Sequence, residues 1–373
     1  MRTTRAPSGT SVRRMLAALS RQLAWSILAW PILGGFSAAP AMAQLPVGRA
    51  QPAGSGVQAG SDVREPLIRS LCKRPLPPPS PRGAFHPRPV GPYPYAVKAI
   101  PGVVAEGARW RLIWVHNGNN ADGLIAQPDG SILAAQNDLS DVVRITPDGR
   151  TTVVYNDTNT GGALSQNERG ELFIVERALI PSIWELAPVR RMLADSYDGE
   201  PFECQGRGAL DAPAALHTGG VYFGWAGLYY GSPTGAVTRV FDQDVNGIVL
   251  SRDEKQLYFA SAGKLYVADV ADDGRLSHRR VLAEIPGGGN DGATIDADGR
   301  IYVTGYAGVR VFAAGGKYLG TIPAPRNLIS VTFAGPGKQT LFAVAYVLES
   351  GQHGFDELYT IPMIAQGYLG RSK

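Results

Sequence analysis

The chain has 373 residues, 44% of them hydrophobic, which is enough apolar material for one large domain or two small ones. The first 43 residues carry five arginines and no acidic residue, so removing them changes the formal net charge from +4 to −1. A nearly neutral protein lacks the basic surface on which nucleic-acid binding depends. Composition therefore excludes nucleic acid as the expected partner.

The first segment, residues 1–43, has the pattern of a secretory signal peptide. An arginine-bearing start is followed by an apolar stretch over 23–36 and by Ala-Met-Ala at 41–43. A membrane anchor is the alternative, but Pro31 interrupts a stretch that is already short for a membrane span. We therefore expect export to the periplasm or the medium, with no membrane attachment after cleavage.

Residues 44–104 are predicted to form a Pro-rich extension, because prolines and glycines are scattered through them without sustained periodicity. The chain has two cysteines, Cys72 in this extension and Cys204 in the region that follows. An exported protein can form a disulfide between them, although the sequence alone leaves this pairing open.

Residues 105–373 are predicted to be an all-β domain with a short C-terminal tail, because short β-branched and aromatic runs alternate with Gly, Asp and Pro. A pattern of strand, turn and strand recurs six times at intervals of about 40 residues. The starts of the six copies are Asp122, Gly162, Asp211, Asn246, Asp291 and Ile329. Most copies add a third strand and several a fourth, which predicts a six-bladed β-propeller of four-stranded antiparallel blades. The last copy lacks its outer strand, and we expect the strand at 109–115 to complete it.

The repeat assigns different roles to two Asp-Gly pairs in the fifth copy, at Asp291 and Asp298. Asp298 falls in the turn between the first two strands, where Asp-Gly is a common turn signal. Asp291 falls at the start of the innermost strand, where a side chain can face the central channel. We call the six copy starts the slot positions.

Four slot positions, Asp122, Asp211, Asn246 and Asp291, carry oxygen ligands that would meet around one axis. Three carboxylates this close would repel each other unless a cation lay between them. Oxygen donors favour Ca²⁺, with Mg²⁺ or Mn²⁺ as alternatives. The competing interpretation is that these residues only form turns where the strands begin, although Asp211 precedes an alanine, where a turn is a weaker explanation.

Two of the copies also carry a family resemblance. VNGIVLSRDEKQLYFA and NDGATIDADGRIYVTGYAGVRVF resemble blades of the senescence-marker-protein/gluconolactonase/luciferin-regenerating-enzyme family of six-bladed propellers, and the resemblance extends over about 105–365. It implies a divalent metal, usually calcium, bound in the channel by a Glu, an Asn and an Asp, with a further Asn at the site. Asn246 and Asp291 match the Asn and the Asp.

This sequence departs from the family pattern at three positions. Asp122 takes the place of the Glu, Asp211 that of the further Asn, and Ala209 that of an arginine that binds substrate, with Arg207 nearby but out of register. Glu106 begins a sequence similar to the family's Glu motif, but we interpret it as leading into the closing outer strand. The departures leave the substrate open.

Other catalytic patterns are missing from the sequence, which has neither a G-x-S-x-G nor an H-E-x-x-H motif. His116, just before the first blade, is a candidate substrate-binding residue because loops at one end of a scaffold often carry function.

The resemblance thus implies a hydrolase, a lactonase that acts on a small lactone or related ester. We expect Asp211 and Asp291 to be catalytic, and Asp211 and His116 to contact substrate. Asp122, Asp211, Asn246 and Asp291 are the expected metal ligands, and Gly162 and Ile329 are expected to leave an open, partly apolar side. The alternatives are a non-catalytic propeller whose calcium is structural and which binds a partner or ligand, and a different hydrolase on the same scaffold.

Overall fold

A computed structural model describes residues 70–73, 91–117, 121–177, 181–205, 210–224, 226–288, 291–306, 308–348 and 354–370. All the described residues belong to one compact unit. The predicted signal peptide lies outside the described residues, as do Arg207 and Ala209. No helix in the described ranges has the length and apolar character needed to cross a membrane.

The described residues form six four-stranded antiparallel sheets, which are the blades of a six-bladed β-propeller. The first three blades follow the chain from the inner to the outer strand. Their strands are β2 (Ala121–Ala126), β3 (Ile132–Gln136), β4 (Asp141–Ile145) and β5 (Thr151–Tyr155); β6 (Gly161–Gln166), β7 (Leu172–Glu176), β8 (Ser182–Ala187) and β9 (Arg191–Ala194); and β12 (Asp211–Ala215), β13 (Val221–Gly224), β14 (Leu228–Gly231) and β15 (Val237–Phe241).

The last three blades complete the ring. Their strands are β16 (Asn246–Leu250), β17 (Gln256–Ser261), β18 (Lys264–Val270) and β19 (Leu276–Glu284); β20 (Ala293–Ile295), β21 (Ile301–Gly305), β22 (Gly308–Phe312) and β23 (Tyr318–Pro323); and β24 (Leu328–Ala334), β25 (Thr340–Leu348), β26 (Gly354–Pro362) and β1 (Arg111–Asn117). A small hairpin of β10 (Ser196–Tyr197) and β11 (Glu200–Pro201) and the 3₁₀ helices Phe202–Gln205 and Pro336–Lys338 lie in the connections.

Ring closure follows the prediction. β1 pairs antiparallel with β26 and is the outer strand of the sixth blade, so the two ends of the propeller meet in one sheet. The inner strands contact each other in sequence, and β24 contacts β2 to close the circle. The predicted six-bladed architecture is confirmed.

Burial changes from the inner to the outer strands of a blade. β2 and β3 are buried along their whole length, whereas four of the five residues of β5 are exposed. Both faces of a blade are covered by its neighbours near the axis, so inner strands are apolar runs rather than alternating patterns. This explains why the sequence shows so little period-two alternation in the first strands.

The propeller has two distinct ends. The axial end is where the first strand of each blade begins, beside Asp122 and the other slot positions. The turn end carries the turns between first and second strands, where the backbone turns through positive φ at Gly130, Gly170, Gly219, Glu254 and Gly299. The repeat predicts a turn between the first two strands of a copy, and these five positions lie in such turns.

The C-terminal segment, residues 363–370, lies across the turn end. The Lys338 Nζ donates to the Tyr368 carbonyl at 2.8 Å, and Tyr368 Oη lies 3.5 Å from Glu168 Oε1. The guanidinium of Arg252 stacks on the Tyr368 ring. Tyr368 therefore contacts the second, fourth and sixth blades at once, and this segment covers the turn end of the channel.

The segment that precedes β1 packs on the propeller as well. Val97, Ile100, Val103 and Val104 are buried in an apolar cluster with residues of the fifth and sixth blades. Cys72 and Cys204 form a disulfide with their Cα atoms 5.4 Å apart, so the pairing that the sequence left open is present. Trp110 Nε1 donates to the Pro323 carbonyl at 2.8 Å.

Candidate metal centre

Three slot residues are placed by the same local backbone arrangement. Each is followed by a residue with positive φ and by a register shift in the pairing with the second strand. In each, a side-chain oxygen accepts the N–H of the next residue. The three hydrogen bonds run from Gly123 to Asp122 Oδ1 (2.6 Å), from Ala212 to Asp211 Oδ1 (2.8 Å) and from Gly247 to Asn246 Oδ1 (2.8 Å). This bulge directs the side chain toward the axis rather than into the space between blades.

Two of the three bulges require glycine for packing as well as for φ. A Cβ on Gly123 would lie 2.0 Å from the Leu164 nitrogen, and one on Gly247 would lie 2.7 Å from the Asp291 carbonyl oxygen. Ala212 adopts the same conformation, with φ 46°, although it has a Cβ. A left-handed conformation costs a non-glycine residue about 1–2 kcal/mol. The third blade thus retains the arrangement at a cost in stability.

Asp291 is placed by packing between the fifth and sixth blades. The N–H of Gly292 donates to the Ile329 carbonyl at 2.6 Å, and Thr304 donates its N–H and its hydroxyl to the Gly292 carbonyl. A Cβ on Gly292 would lie 2.7 Å from the Ser330 Cα. The close approach of these two first strands holds Asp291 at the axis.

The structure brings the four predicted ligands together. Carboxylate oxygens of Asp122, Asp211 and Asp291 lie within 4.8 Å of one another. Asn246 Nδ2 donates to Asp211 Oδ2 at 3.2 Å and to Asp291 Oδ1 at 3.1 Å. Ca²⁺–oxygen distances are about 2.3–2.6 Å, so a single calcium ion could bridge oxygens separated by this much. The three carboxylates are hard oxygen donors, which fits a divalent cation of this type. Asn246 presents its Nδ2 to them, while its Oδ1 accepts the Gly247 N–H.

The electrostatics of the cluster favour a cation. Burial of its carboxyl, followed by the nearby charges of Asp122 and Asp211, raises the pKa of Asp291 well above its ordinary value. Burial, with a contribution from Asp211, also raises the pKa of Asp244 next to the site. Ionised carboxylates are therefore costly here unless positive charge is added.

Arg177 supplies part of that positive charge, and the sequence did not indicate it. It directly follows β7, its side chain is 8% exposed, and one terminal nitrogen lies 2.9 Å from Asp211 Oδ1 and 4.0 Å from Asp122 Oδ2. Its Nε donates to the Leu210 carbonyl at 2.9 Å. The guanidinium thus lies at the edge of the cluster, between the first and third blades.

Arg177 also corrects the prediction for Gly162, which was expected to leave an open side. A Cβ on Gly162 would lie 1.9 Å from Arg177 Nε, so the space beside this slot is filled by the arginine. Ile329 is half-buried against an apolar cluster that includes Trp114. The signal that could have located Arg177 is Gly162 itself, because a slot without a side chain between two acidic slots leaves room for a neighbouring cation.

His116 lies near the end of β1, on the outer strand of the sixth blade. Its ring stacks on Trp114, and its Nδ1 is 3.1 Å from Gln136 Nε2. These contacts are with the outer part of the sixth blade and the second strand of the first, so a role in substrate binding stays a prediction. Glu106, which precedes β1, accepts the N–H of Ala99.

Asp298 is a turn residue, as predicted. Its N–H donates to Asp296 Oδ1 at 3.0 Å, and its own carboxylate is 70% exposed and lies 2.8 Å from Arg300. Asp296, five residues after Asp291, is fully buried at the turn end. The two Asp-Gly pairs therefore have the different roles that the repeat assigned to them.

Six blades and an acidic cluster at the start of the inner strands define the class: a six-bladed β-propeller with a candidate cation site on its axis. The family model described as SMP-30/Gluconolactonase/LRE-like region matches residues 208–346. This is the family that the sequence resembles, and Asp211, Asn246 and Asp291 all fall within the matched residues.

Solved structures show the same fold across most of the chain. A gluconolactonase from Xanthomonas campestris is 20% identical, with a TM-score of 0.59 over 74% of this chain and 99% of that one. The calcium-binding protein regucalcin from Agrobacterium tumefaciens is 19% identical, with a TM-score of 0.54 over 68% and 93%. A luciferin-regenerating enzyme is 17% identical, with a TM-score of 0.55 over 71% and 99%. At these identities the likeness extends to the fold alone.

Proposed function

We propose that this protein is a metal-dependent lactonase that hydrolyses a small lactone or related ester at the axial end of its channel. The observation that carries the proposal is the group of three carboxylates with oxygens within 4.8 Å, opposed among the described residues by the guanidinium of Arg177. Like charges this close are unfavourable unless a cation is bound. The family match over residues 208–346 and the name of the gluconolactonase neighbour support lactone hydrolysis as the reaction.

Asp122, Asn246 and Asp291 are the proposed ligands of a divalent cation, with Asp211 as a fourth ligand or as a base. Calcium is the preferred ion because the three carboxylates offer oxygen atoms and Asn246 has an amide oxygen that could be turned toward the ion, and Mg²⁺ or Mn²⁺ would suit the same donors. The calcium-binding neighbour is consistent with this choice. A bound divalent cation supplies Lewis-acid polarisation of an ester carbonyl.

The chain's own groups would act around that carbonyl. Asp211 is the candidate general base, because its carboxylate borders the cluster and could accept a proton from the attacking water. Arg177 lies 2.9 Å from Asp211 Oδ1 and holds the orientation of this carboxylate. Asp291 is the second carboxylate that we propose to be catalytic, and it would act while it also binds the cation. The turn end is covered by the C-terminal segment, so substrate would enter from the axial end.

The test is hydrolysis of a panel of small lactones by the purified full-length protein, with and without chelator. We expect activity on at least one lactone, loss of that activity in chelator and recovery on adding Ca²⁺. Calcium binding without hydrolysis across the panel would instead identify a non-catalytic propeller with a structural ion.

Two variants separate a ligand from a base. If Asp211 is the base, Asp211→Asn should keep calcium binding and lower turnover by about 10²–10⁴-fold, the usual contribution of acid–base catalysis. Asp291→Ala should lose calcium binding, turnover and the calcium-dependent part of thermal stability together, since ligand binding adds to folded-state stability. Unchanged turnover in Asp211→Asn would make Asp211 a ligand only and direct the search for the base to Asp122, Asp291 and His116.

Export to the periplasm or the medium is part of the proposal. It rests on the charged start, the apolar stretch and the Ala-Met-Ala of residues 1–43, and the Cys72–Cys204 disulfide suits an oxidising compartment. Fractionation of the expressing cells, with mass spectrometry of the mature N-terminus, tests it. We expect the mature protein to begin at Gln44.

A further inference from the structure

We infer that Arg177 sets the charge of the axial site so that it accepts a divalent rather than a trivalent cation. The inference deepens the proposed function and rests on it, because it concerns the ion that the same carboxylates would hold.

The position of the guanidinium is fixed by the fold rather than by the carboxylates alone. Its Nε donates to the Leu210 carbonyl at 2.9 Å, and its side chain is 8% exposed. Gly162 makes room for it, since any Cβ there would lie 1.9 Å from Nε. A planar, permanently charged group held in this way is a constant part of the site.

The charge of the site follows from the residues that form it. Asp122, Asp211 and Asp291 contribute three negative charges when they bind a cation, and Asn246 contributes none. Arg177 contributes one positive charge at the edge, 2.9 Å from Asp211 and 4.0 Å from Asp122. Asp244, a buried carboxyl next to the site, is not counted in this balance. The repulsion between the guanidinium and a bound ion grows with the charge of that ion, so Arg177 disfavours a trivalent cation more than a divalent one.

Arg177 is distinct from the proposed ligands because it is itself a cation and lies on one side of the cluster. Asn246 Nδ2 donates to Asp291 Oδ1 at 3.1 Å, whereas the close ion pair of Arg177 is with Asp211, at 2.9 Å, and its charge acts on Asp291 more weakly than the burial that raises the pKa of that carboxyl. The arginine therefore forms an ion pair with the carboxylate of Asp211, and Asn246 and Asp291, on the opposite side of the cluster, remain available to bind the ion. We assign it a positioning and charge-setting role.

The experiment compares the affinities of Ca²⁺ and Tb³⁺ for the full-length chain, by calorimetry for calcium and by sensitised luminescence for terbium. Arg177→Met should shift the affinity ratio toward Tb³⁺ by about 10- to 100-fold, the size expected for one unit charge several ångströms away at an effective dielectric constant near 20. Arg177→Lys should keep most of the wild-type ratio because it keeps the charge. Arg144→Met, which removes a guanidinium paired with Asp129 on the first blade, is the matched control and should leave the ratio unchanged.

A double variant guards against a simple folding defect. Arg177→Met combined with Asp211→Asn removes both members of the ion pair, so the net charge of the cluster returns to the wild-type value. We expect the wild-type ion preference to return in this variant. A merely structural role for Arg177 predicts no such recovery.

The outcomes distinguish this inference from the proposal on which it rests. If the wild type binds Ca²⁺ but the ratio is the same in Arg177→Met, or the double variant keeps the shifted ratio, the charge-setting role is overturned and the metal site stands. If the wild type binds neither ion, the metal site and the role of Arg177 fail together.

Discussion

The two ends of the propeller place their aspartates in opposite surroundings. At the axial end, burial and neighbouring carboxylates raise the pKa of Asp291, and burial raises that of Asp244. At the turn end, hydrogen bonds from the hydroxyls of Ser131 and Ser251 lower the pKa of Asp129 and Asp253. Carboxylates at the turn end thus accept hydrogen bonds that stabilise their charge, whereas carboxylates at the axial end lie beside other carboxylates that repel them.

This difference indicates that the turn end mainly stabilises the fold and that the axial end mainly binds a ligand. The turn end holds the blades and the C-terminal segment together, and its carboxylates contribute to stability. The axial end places like charges side by side and retains a left-handed backbone at Ala212, features that cost stability and that are common where a protein binds a ligand. The comparison can be tested one end at a time.

The largest effect on stability is expected at Asp296, at the turn end. This fully buried carboxylate accepts the N–H groups of Asp298 and Arg300, the Arg300 Nε at 2.6 Å and the Tyr302 hydroxyl at 2.8 Å. Asp296→Ala leaves these donors without their partner, so we expect a loss of about 3–5 kcal/mol, the usual cost of breaking a buried ion pair. Urea unfolding should show the same loss in calcium and in chelator.

Asp298→Ala is the matched control for that measurement. Asp298 pairs with the same Arg300, but its carboxylate is 70% exposed. We expect a loss below about 1 kcal/mol, as for other exposed pairs. A similar loss in both variants would mean that burial does not distinguish the two aspartates.

At the axial end, Asp291→Asn should raise the free energy of unfolding of the metal-free protein, whereas Asp296→Ala at the turn end lowers it. Removing one of three adjacent carboxylates relieves repulsion, so the free energy of unfolding in chelator should be higher than that of the wild type. Calcium affinity should fall by more than about 100-fold, because even changes to residues behind metal ligands cost 10–100-fold. A metal-free variant less stable than the wild type would contradict the division between the ends.

The pH dependence sharpens the same contrast. The pKa of the Asp291 carboxyl is raised in the metal-free folded state, so this group holds its proton more tightly than in the unfolded chain. Its contribution to metal-free stability therefore becomes less favourable as the pH rises above the ordinary carboxyl range. Calcium needs the ionised form, so the rise in Tm on adding calcium should be larger at pH 8 than at pH 5.

The stability contributed by Asp129 and Asp253 changes with pH in the opposite direction to that of Asp291, because their pKa values are lowered in the folded state. Their contribution is present above the ordinary carboxyl range and is lost as the pH falls through the folded values. Thermal denaturation with and without calcium at both pH values checks the prediction. An equal or larger calcium effect at pH 5 would show that protons do not compete with the ion at the axial end.

The repeat explains how much of this arrangement the sequence could predict. The outer strand missing from the last copy predicted the closure by β1, and the common register of Asp122, Asp211, Asn246 and Asp291 predicted their convergence. Arg177 lies just after a second strand, outside that register, so no periodic signal marks it. The sequence predicted a short C-terminal tail but not its contacts across the turn end, because the tail follows the last blade and those contacts belong to no repeat.

The smallest effect on stability is expected at Ala212, where the left-handed backbone of the axial end can be tested without removing a ligand. Its φ of 46° is left-handed, and its N–H donates to Asp211 Oδ1 at 2.8 Å. Glycine adopts this conformation without the strain of a Cβ, so Ala212→Gly should gain about 0.5 kcal/mol after the larger entropy of unfolded glycine is subtracted. Calcium affinity should stay within about twofold, because the bulge and the ligand remain.

Ala214→Gly, a buried neighbour on the same strand, is the control and should lose about 0.5–1 kcal/mol from glycine alone. Equal losses in the two variants would show that the backbone at Ala212 is not strained, and the axial end would then differ from the turn end in its charges only.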